Sequence, residues 1–102
     1  MELEMKKGKP VKGNNVRFYK AVLALDSEKA CKMFFEDILT EAEMKAITQR
    51  LQIASLLDEK ATFAEINRIT GASSATITKI NQTLRNGNKG FRYVLDRIKE
   101  EQ

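Results

Sequence analysis

The chain has 102 residues, enough for one small domain, of which 42% are hydrophobic and 31% charged. This composition is typical of a globular protein rather than of a disordered or fibrous one. No apolar run approaches the roughly 20 residues of a membrane-spanning helix, and we expect neither a secretory signal nor a membrane partner. With no histidine and one cysteine, Cys31, the sequence excludes a zinc finger, an internal disulfide framework and histidine-based acid–base catalysis. We predict no metal, no cofactor and a cytoplasmic location, and we expect Cys31 to be buried and inert.

Charge is distributed unevenly along the chain, although the net value is only +4. Residues 1–20 carry six basic and two acidic groups, whereas residues 21–60 carry five basic and eight acidic groups. Residues 61–90 are basic again, with four basic groups and Glu65 as the single acid. The basic C-terminal segment favours a polyanionic partner, but a net charge of this size is weak evidence for nucleic-acid binding.

Residues 1–15 contain the only proline and two of the five glycines, and they show no helical apolar stripe. We predict a flexible basic arm here, followed by a single helical domain over residues 16–102. Two interpretations of the arm stay open: an unordered tail, or a segment that contacts phosphates.

Apolar residues follow helical spacing from residue 16 onward. The pattern predicts a first helix through residue 25, a second over 28–39 with Ser27 as its N-cap, and the longest over 41–60, begun by a capping box at Thr40. The second helix is apolar over more than the ~100° face that a surface helix buries. A chain this short has too little of its own structure to cover that face. We therefore predict a partner subunit.

A helix-turn-helix is predicted at residues 63–84. A capping box at Thr62 begins its first helix, and a turn at residues 70–73 separates that helix from a second at 74–84. Gly71 is expected in the left-handed conformation that ends the first helix, and Ser73 is expected to cap the second. Four apolar side chains should face the interior and fix the angle between the helices: Ile66, Ala72, Ile77 and Ile80.

The other face of the second helix carries hydroxyls, an alanine and one lysine. Short side chains let a helix enter a major groove, where hydroxyls bond base edges or phosphates and alanine meets the thymine methyl. Sparse acidity keeps the repulsion from phosphate low. The residues predicted to face bases or nearby phosphates are Ser74, Ala75, Thr76, Thr78 and Lys79. The predicted contacts with the DNA backbone are Arg68, Ser73, Arg85 and Lys89.

A turn at residues 85–90 precedes a last amphipathic helix over 91–98. Gly87 and Gly90 are expected at positive φ within this turn. We expect the helix to be a lid that packs on the partner subunit.

Several of these segments resemble the bacterial Trp repressor family, and within it the YerC/YecD branch. The resemblance covers roughly residues 18–98 and rests on Leu39-Thr40-Glu41-Ala42-Glu43, Phe34-Phe35-Glu36-Asp37, Gln49-Arg50-Leu51, Leu56-Leu57, Thr70-Gly71-Ala72-Ser73, Ala75-Thr76-Ile77-Thr78 and Asn86-Gly87-Asn88-Lys89-Gly90. It implies an all-α fold of about six helices, an intertwined homodimer formed by the helices before the motif, and an operator-binding regulator. The two reading heads of such a dimer enter successive major grooves, ~34 Å apart.

The resemblance also implies a ligand site, at Thr40, Arg50, Lys79 and Thr83. Thr40 and Arg50 match the family, but Lys79 stands where the family has an arginine, and lysine lacks the planar fork that pairs and stacks. Thr83 replaces a serine. Ile80 stands where the repressor has a glycine, and its side chain should fill the ligand cavity. We therefore expect tryptophan not to be the corepressor. A different small effector, or none, stays open. We expect Arg50 to form an ion pair with a carboxylate on a neighbouring helix.

Three functions remain to be weighed. The first is a sequence-specific, dimeric regulator of transcription, which the resemblance implies is a repressor. The second is a helical protein-interaction module that uses the motif for docking, which steeply salt-dependent DNA binding would distinguish from the first. The third is an enzyme, which the sequence supports poorly, since no nucleophile stands beside a base and there is no glycine-rich phosphate loop. We predict no catalytic residues.

Overall fold

The computed structural model describes residues 13–100, and over these residues it contains six helices and no strand. The predicted all-α class is confirmed. The helices are α1 (Asn14–Leu23), α2 (Glu28–Ile38), α3 (Glu41–Asp58), α4 (Phe63–Thr70), α5 (Ser74–Asn86) and α6 (Gly90–Glu100). Most of the predicted arm lies outside the described residues. The arm boundary at residue 15 is wrong by two residues, since the helix already begins at Asn14.

Hydrogen-bonded caps begin two of the helices where the sequence predicts them. Ser27 Oγ accepts a hydrogen bond of 3.0 Å from the Ala30 N–H at the start of α2. Thr62 Oγ1 accepts from the Glu65 N–H at 3.1 Å, and Glu65 Oε1 accepts from the Thr62 N–H at 2.8 Å. The donated Thr62 N–H bond stabilises the carboxylate and lowers the pKa of Glu65. These three hydrogen bonds satisfy backbone donors that have no partner inside a helix.

The chain divides into two compact units, the first ending at Thr40 and the second beginning at Glu41. Within the first unit, α1 and α2 contain no buried residue. The Phe18 and Phe34 rings lie 6.3 Å apart between centroids, while Met33 is 59% exposed. Cys31 is only partly buried, so its expected full burial is wrong. The apolar surface of α2 is therefore exposed within the chain, as its sequence predicts. The single domain over residues 16–102 stays a prediction.

The second unit is built around α3, the longest helix of the described chain, with 18 residues. This helix contacts α4, α5 and α6, and α5 also packs against α4 and α6. The nine buried apolar residues of the core are Ile53, Ala54, Leu57, Ile66, Ala72, Ile77, Ile80, Leu84 and Leu95. All four residues predicted to fix the helix-turn-helix are among them. The motif is thus held by α3 rather than by its own two helices alone.

An ionic cluster joins α6 to the end of α3. Asp58 Oδ1 lies 2.6 Å from Arg92 Nη2, Asp58 Oδ2 lies 2.7 Å from Lys99 Nζ, and the Asp58 side chain is only 10% exposed. Arg92 also pairs with Asp96, at 3.0 Å. The hydrogen bond from Arg92 and the adjacent Lys99 ammonium hold the pKa of Asp58 well below its usual range. With Leu95 1% exposed in the core, α6 packs on its own chain. Its expected packing on a partner subunit stays a prediction.

Candidate nucleic-acid interface

The turn of the motif has the predicted backbone geometry. Gly71 lies in the left-handed region, with φ 76°, and its N–H donates to the carbonyl oxygen of Asn67 at 2.8 Å. A side chain at this φ is strained, because a Cβ atom would crowd the neighbouring carbonyl. The chain therefore leaves the path of α4 at Gly71 and enters α5 three residues later.

Polar side chains that sequence reasoning missed complete this turn. Thr70 Oγ1 donates to the Ile66 carbonyl oxygen at 2.7 Å and accepts from the Ala72 N–H at 3.1 Å. Asn67 Nδ2 donates to the Ala72 carbonyl oxygen at 2.8 Å, and Gln49 Nε2 of α3 donates to the Thr70 carbonyl oxygen at 3.0 Å. The bonds made by Asn67 and Thr70 are local, so a Thr and an Asn beside a turn glycine could have indicated them. The contact from Gln49 spans 21 residues, and no local pattern indicates it.

Ser73 caps α5, as predicted. Its Oγ accepts from the Thr76 N–H at 3.2 Å and donates to Thr76 Oγ1 at 3.1 Å. Ser74, Ala75 and Thr78 are exposed, and Thr76 is partly buried. The buried residues of α5 are Ile77, Ile80 and Leu84, which lie on the opposite face. One face of α5 is thus fixed in the core, while its first turn and hydroxyl-bearing face meet solvent.

Exposed basic residues lie on α4, on α5 and in the turn that follows α5. Residues 66–95 contain no aspartate or glutamate but five Lys or Arg residues. Arg68, Lys79, Arg85 and Lys89 are all exposed. Within the described chain, none of these four lies within 4.0 Å of a carboxylate, whereas two cations of α6 are engaged by Asp58. Unpaired cations beside a groove-sized helix are available for anionic groups such as phosphates.

The turn between α5 and α6 differs from its prediction. Gly87 has φ −84°, and Gly90 is not at positive φ either; the residue in the left-handed region is Lys89, with φ 70°. Gly87 is needed for another reason: an added Cβ would lie 2.6 Å from the carbonyl oxygen of Thr83. Lys89 accepts a hydrogen bond from the Tyr93 N–H through its carbonyl, so it begins α6. A lysine at this φ is a backbone outlier, and its side chain is exposed between α5 and α6.

Three of the four predicted ligand residues line one small cavity of the second unit. This cavity of about 230 Å³ is formed by Arg50, Lys79, Ile80, Thr83 and Phe91. Ile80 is 3% exposed and forms part of its wall. The Thr83 hydroxyl donates to the Lys79 carbonyl oxygen at 3.1 Å. Thr40 belongs to the other unit. Arg50 forms no ion pair with any carboxylate of the described residues, so its expected pairing is wrong.

A larger, open cavity of about 610 Å³ shares Arg50, Thr83 and Phe91 with the first. Its surface is mainly apolar, and the exposed side chains of Ile47 and Val94 contribute to it. A space with an apolar lining and cationic groups at its wall suits a ligand, or a protein segment, that combines apolar and anionic parts.

Comparison with known proteins identifies the family. A relative from Bacillus subtilis (strain 168), the uncharacterized protein YerC, is 34% identical over 100 residues, which is 98% of this chain and 92% of the relative. The sequence model of the Trp repressor protein family matches residues 15–99. This chain belongs to the Trp repressor family. The predicted resemblance, including its YerC branch, is confirmed, and the family is one of transcription regulators rather than enzymes.

Two solved structures have the same fold. The crystal structure of a TrpR-like protein from Eubacterium eligens ATCC 27750 is similar with a TM-score of 0.78 and 36% identity, over 81% of this chain and 86% of that one. That of a candidate Trp repressor from Staphylococcus aureus also gives a TM-score of 0.78, with 30% identity over 88% of this chain and 96% of that one. The predicted Trp repressor-like fold is therefore confirmed. No helix between residues 13 and 100 is long and apolar enough to cross a membrane.

Proposed function

We propose that this member of the Trp repressor family is a sequence-specific regulator that binds double-stranded DNA through α5. The observation that carries the proposal is the combination of a buried and an exposed face on this helix. Ile77 and Ile80 anchor α5 in the core, while Thr78 and Lys79 beside them are exposed. A helix with one face packed in the core can present short polar side chains on its other face to base edges.

The basic residues around α5 supply the complementary backbone contacts. Arg85 and Lys89 lie at its C-terminal end, Arg68 lies on α4, and Ser73 lies at the N-terminus of α5. Backbone N–H groups at a helix N-terminus favour phosphate oxygens, and flexible cations bind phosphate without reading sequence. We assign these four residues to the DNA backbone, and Ser74, Ala75, Thr76, Thr78 and Lys79 to the bases or to nearby phosphates.

We further propose that the protein acts as a homodimer. The helices α1 and α2 have no buried residue within the chain, and Phe18 is 41% and Leu23 82% exposed. Monomeric proteins seldom leave apolar surface of this extent open. A symmetric dimer that buries these faces would present two copies of α5, and the expected operator has two half-sites ~34 Å apart.

Tryptophan is proposed not to be the effector. Ile80 occupies wall space of the small cavity, and the cation at residue 79 is a lysine without the planar geometry that stacks on an indole. Arg50, Lys79 and Thr83, with Thr40, remain the candidate residues for another small anionic effector. Calorimetric titration tests the assignment: we expect no binding heat with tryptophan, and saturable binding would contradict it.

Selection of bound duplexes from a random pool, combined with sizing of the complex, tests the function. We expect an enriched motif with two half-sites and two chains bound. Affinity should fall steeply as salt rises. Absence of duplex binding at ~50 mM salt would instead favour the protein-interaction module.

Within the selected site, Lys79→Ala and Thr78→Ala should weaken specific binding more than binding to random DNA. Equal losses on both duplexes would remove base reading from these two positions.

A further inference from the structure

One directional contact joins the turn of the helix-turn-helix to α3. Gln49 Nε2 donates to the Thr70 carbonyl oxygen at 3.0 Å. This carbonyl lies in the last turn of α4, where backbone oxygens have no partner inside the helix. Gln49 is partly buried and lies one helical turn before Ile53, which is fully buried. Its amide therefore extends the core face of α3 toward the turn.

The other polar contacts of the turn stay within the motif. Asn67 bonds Ala72, and Thr70 bonds both Ile66 and Ala72, so these bonds fix the shape of the turn but do not reach α3. The contacts of the motif with α3 that form the core are apolar. Apolar contacts are non-directional and tolerate small rotations, whereas a hydrogen bond restricts both distance and angle. Gln49 thus supplies an orientational restraint that the core lacks.

We propose that Gln49 is a positioning residue that holds the helix-turn-helix at a fixed angle to α3 and thereby sets how sharply α5 discriminates between DNA sequences. The effect on discrimination between DNA sequences rests on the proposed function, whereas the fixed angle between the motif and α3 does not. Because α5 begins at Ser74, four residues after Thr70, a rotation of the turn is passed on to its exposed face. Hydrogen bonds to base edges need close alignment, whereas long cationic side chains follow a phosphate when the helix rotates.

Two variants remove the donor while keeping the length of the side chain. Gln49→Met replaces the amide by an apolar group, and Gln49→Glu replaces the donor by an acceptor. The matched control is Gln52→Met, because Gln52 is exposed on the same helix. The first readout, residual dipolar couplings, gives the angle between α3 and α5 without DNA. The second is the ratio of dissociation constants for the selected duplex and a shuffled duplex at one salt concentration.

In the wild type and in Gln52→Met, we expect one alignment tensor to fit both α3 and α5. In both Gln49 variants we expect a changed or broadened angle. We also expect a loss of about fivefold in the ratio of dissociation constants, the size of one net hydrogen bond, with little change on the shuffled duplex.

A wild-type angle in both Gln49 variants would overturn the proposal, as would a changed angle with an unchanged ratio. If the wild type bound no duplex, the proposed function would fail, and the couplings alone would still decide whether Gln49 positions the motif.

Discussion

The ionic cluster at Asp58 makes a quantitative prediction about how α6 is held. In Asp58→Asn the side chain keeps its size but loses its charge, and the ammonium of Lys99 and the guanidinium of Arg92 lose their shared partner. A hydrogen bond to a charged group contributes roughly 1.5–3 kcal/mol when well shielded. The two cations are 39% and 53% exposed, so solvent screening reduces this amount. We expect the free energy of unfolding to fall by about 1–2 kcal/mol at pH 7.

The same pair of proteins should differ in the pH dependence of stability. The pKa of Asp58 is lowered in the folded state, so the unfolded chain binds its proton first as the pH falls. The contribution of Asp58 is therefore complete above its unfolded pKa of roughly 3.9, and it is lost progressively as the pH falls from there toward the folded pKa. The difference between wild type and Asp58→Asn should shrink over that acidic range.

Chemical denaturation at fixed protein concentration, from pH 7 down to pH 2.5, measures both effects. The control is Asp96→Asn, which removes the other carboxylate of Arg92; Asp96 is 51% exposed and its pair spans four residues of one helix. Such pairs contribute roughly 0.3–0.5 kcal/mol. A stability difference for Asp58→Asn that equals the control, or that stays constant across the pH range, would refute the reasoning.

Five further substitutions test the two turns, the cap of α5 and the phosphate contacts. Gly71→Ala should lower the free energy of unfolding by about 1 kcal/mol because of the positive φ of residue 71. Gly87→Ala should lower it more, because the added Cβ would meet a backbone oxygen. Gly90→Ala places its Cβ where no atom lies within 4 Å, and it should change stability by less than about 0.5 kcal/mol in the same unfolding assay. An equal effect of all three would contradict this order. Ser73→Ala should cost about 1 kcal/mol through the lost cap of α5, measured by thermal unfolding, and an unchanged stability would count against the cap. Lys89→Ala should weaken binding to every duplex and reduce the slope of log K against log salt by about one, which an unchanged slope would contradict.

The predictions that succeeded depend on local physics. Ser27, Thr62 and Ser73 cap the helices that begin directly after them, and each cap contacts a residue three positions later. Gly71 takes the left-handed backbone conformation that ends α4. Their geometry is decided within one or two turns of chain, so the sequence alone indicates it. The inward face of the motif followed in the same way from helical spacing.

Two of the features that sequence reasoning missed depend on contacts between distant parts of the chain. Asp58 meets Arg92 across 34 residues, and Gln49 meets Thr70 across 21, so neither pair leaves a local pattern. Gly87 was misjudged although its contact is local: the close approach to the Thr83 carbonyl oxygen, not a positive φ, excludes a side chain there. Cys31 was expected to be buried because apolar helices usually are, yet no residue of α2 is buried within the chain.

The central claim is that the exposed face of α5 reads base edges, and the base preference of variants tests it most directly. Duplexes selected from a random pool by Thr78→Ala, by Lys79→Ala and by Lys89→Ala should be compared with those selected by the wild type. We expect Thr78→Ala to lose or alter the preference at one base pair of each half-site, while Lys89→Ala selects the wild-type motif with lower affinity. Identical motifs for the wild type, Thr78→Ala and Lys79→Ala would contradict the account.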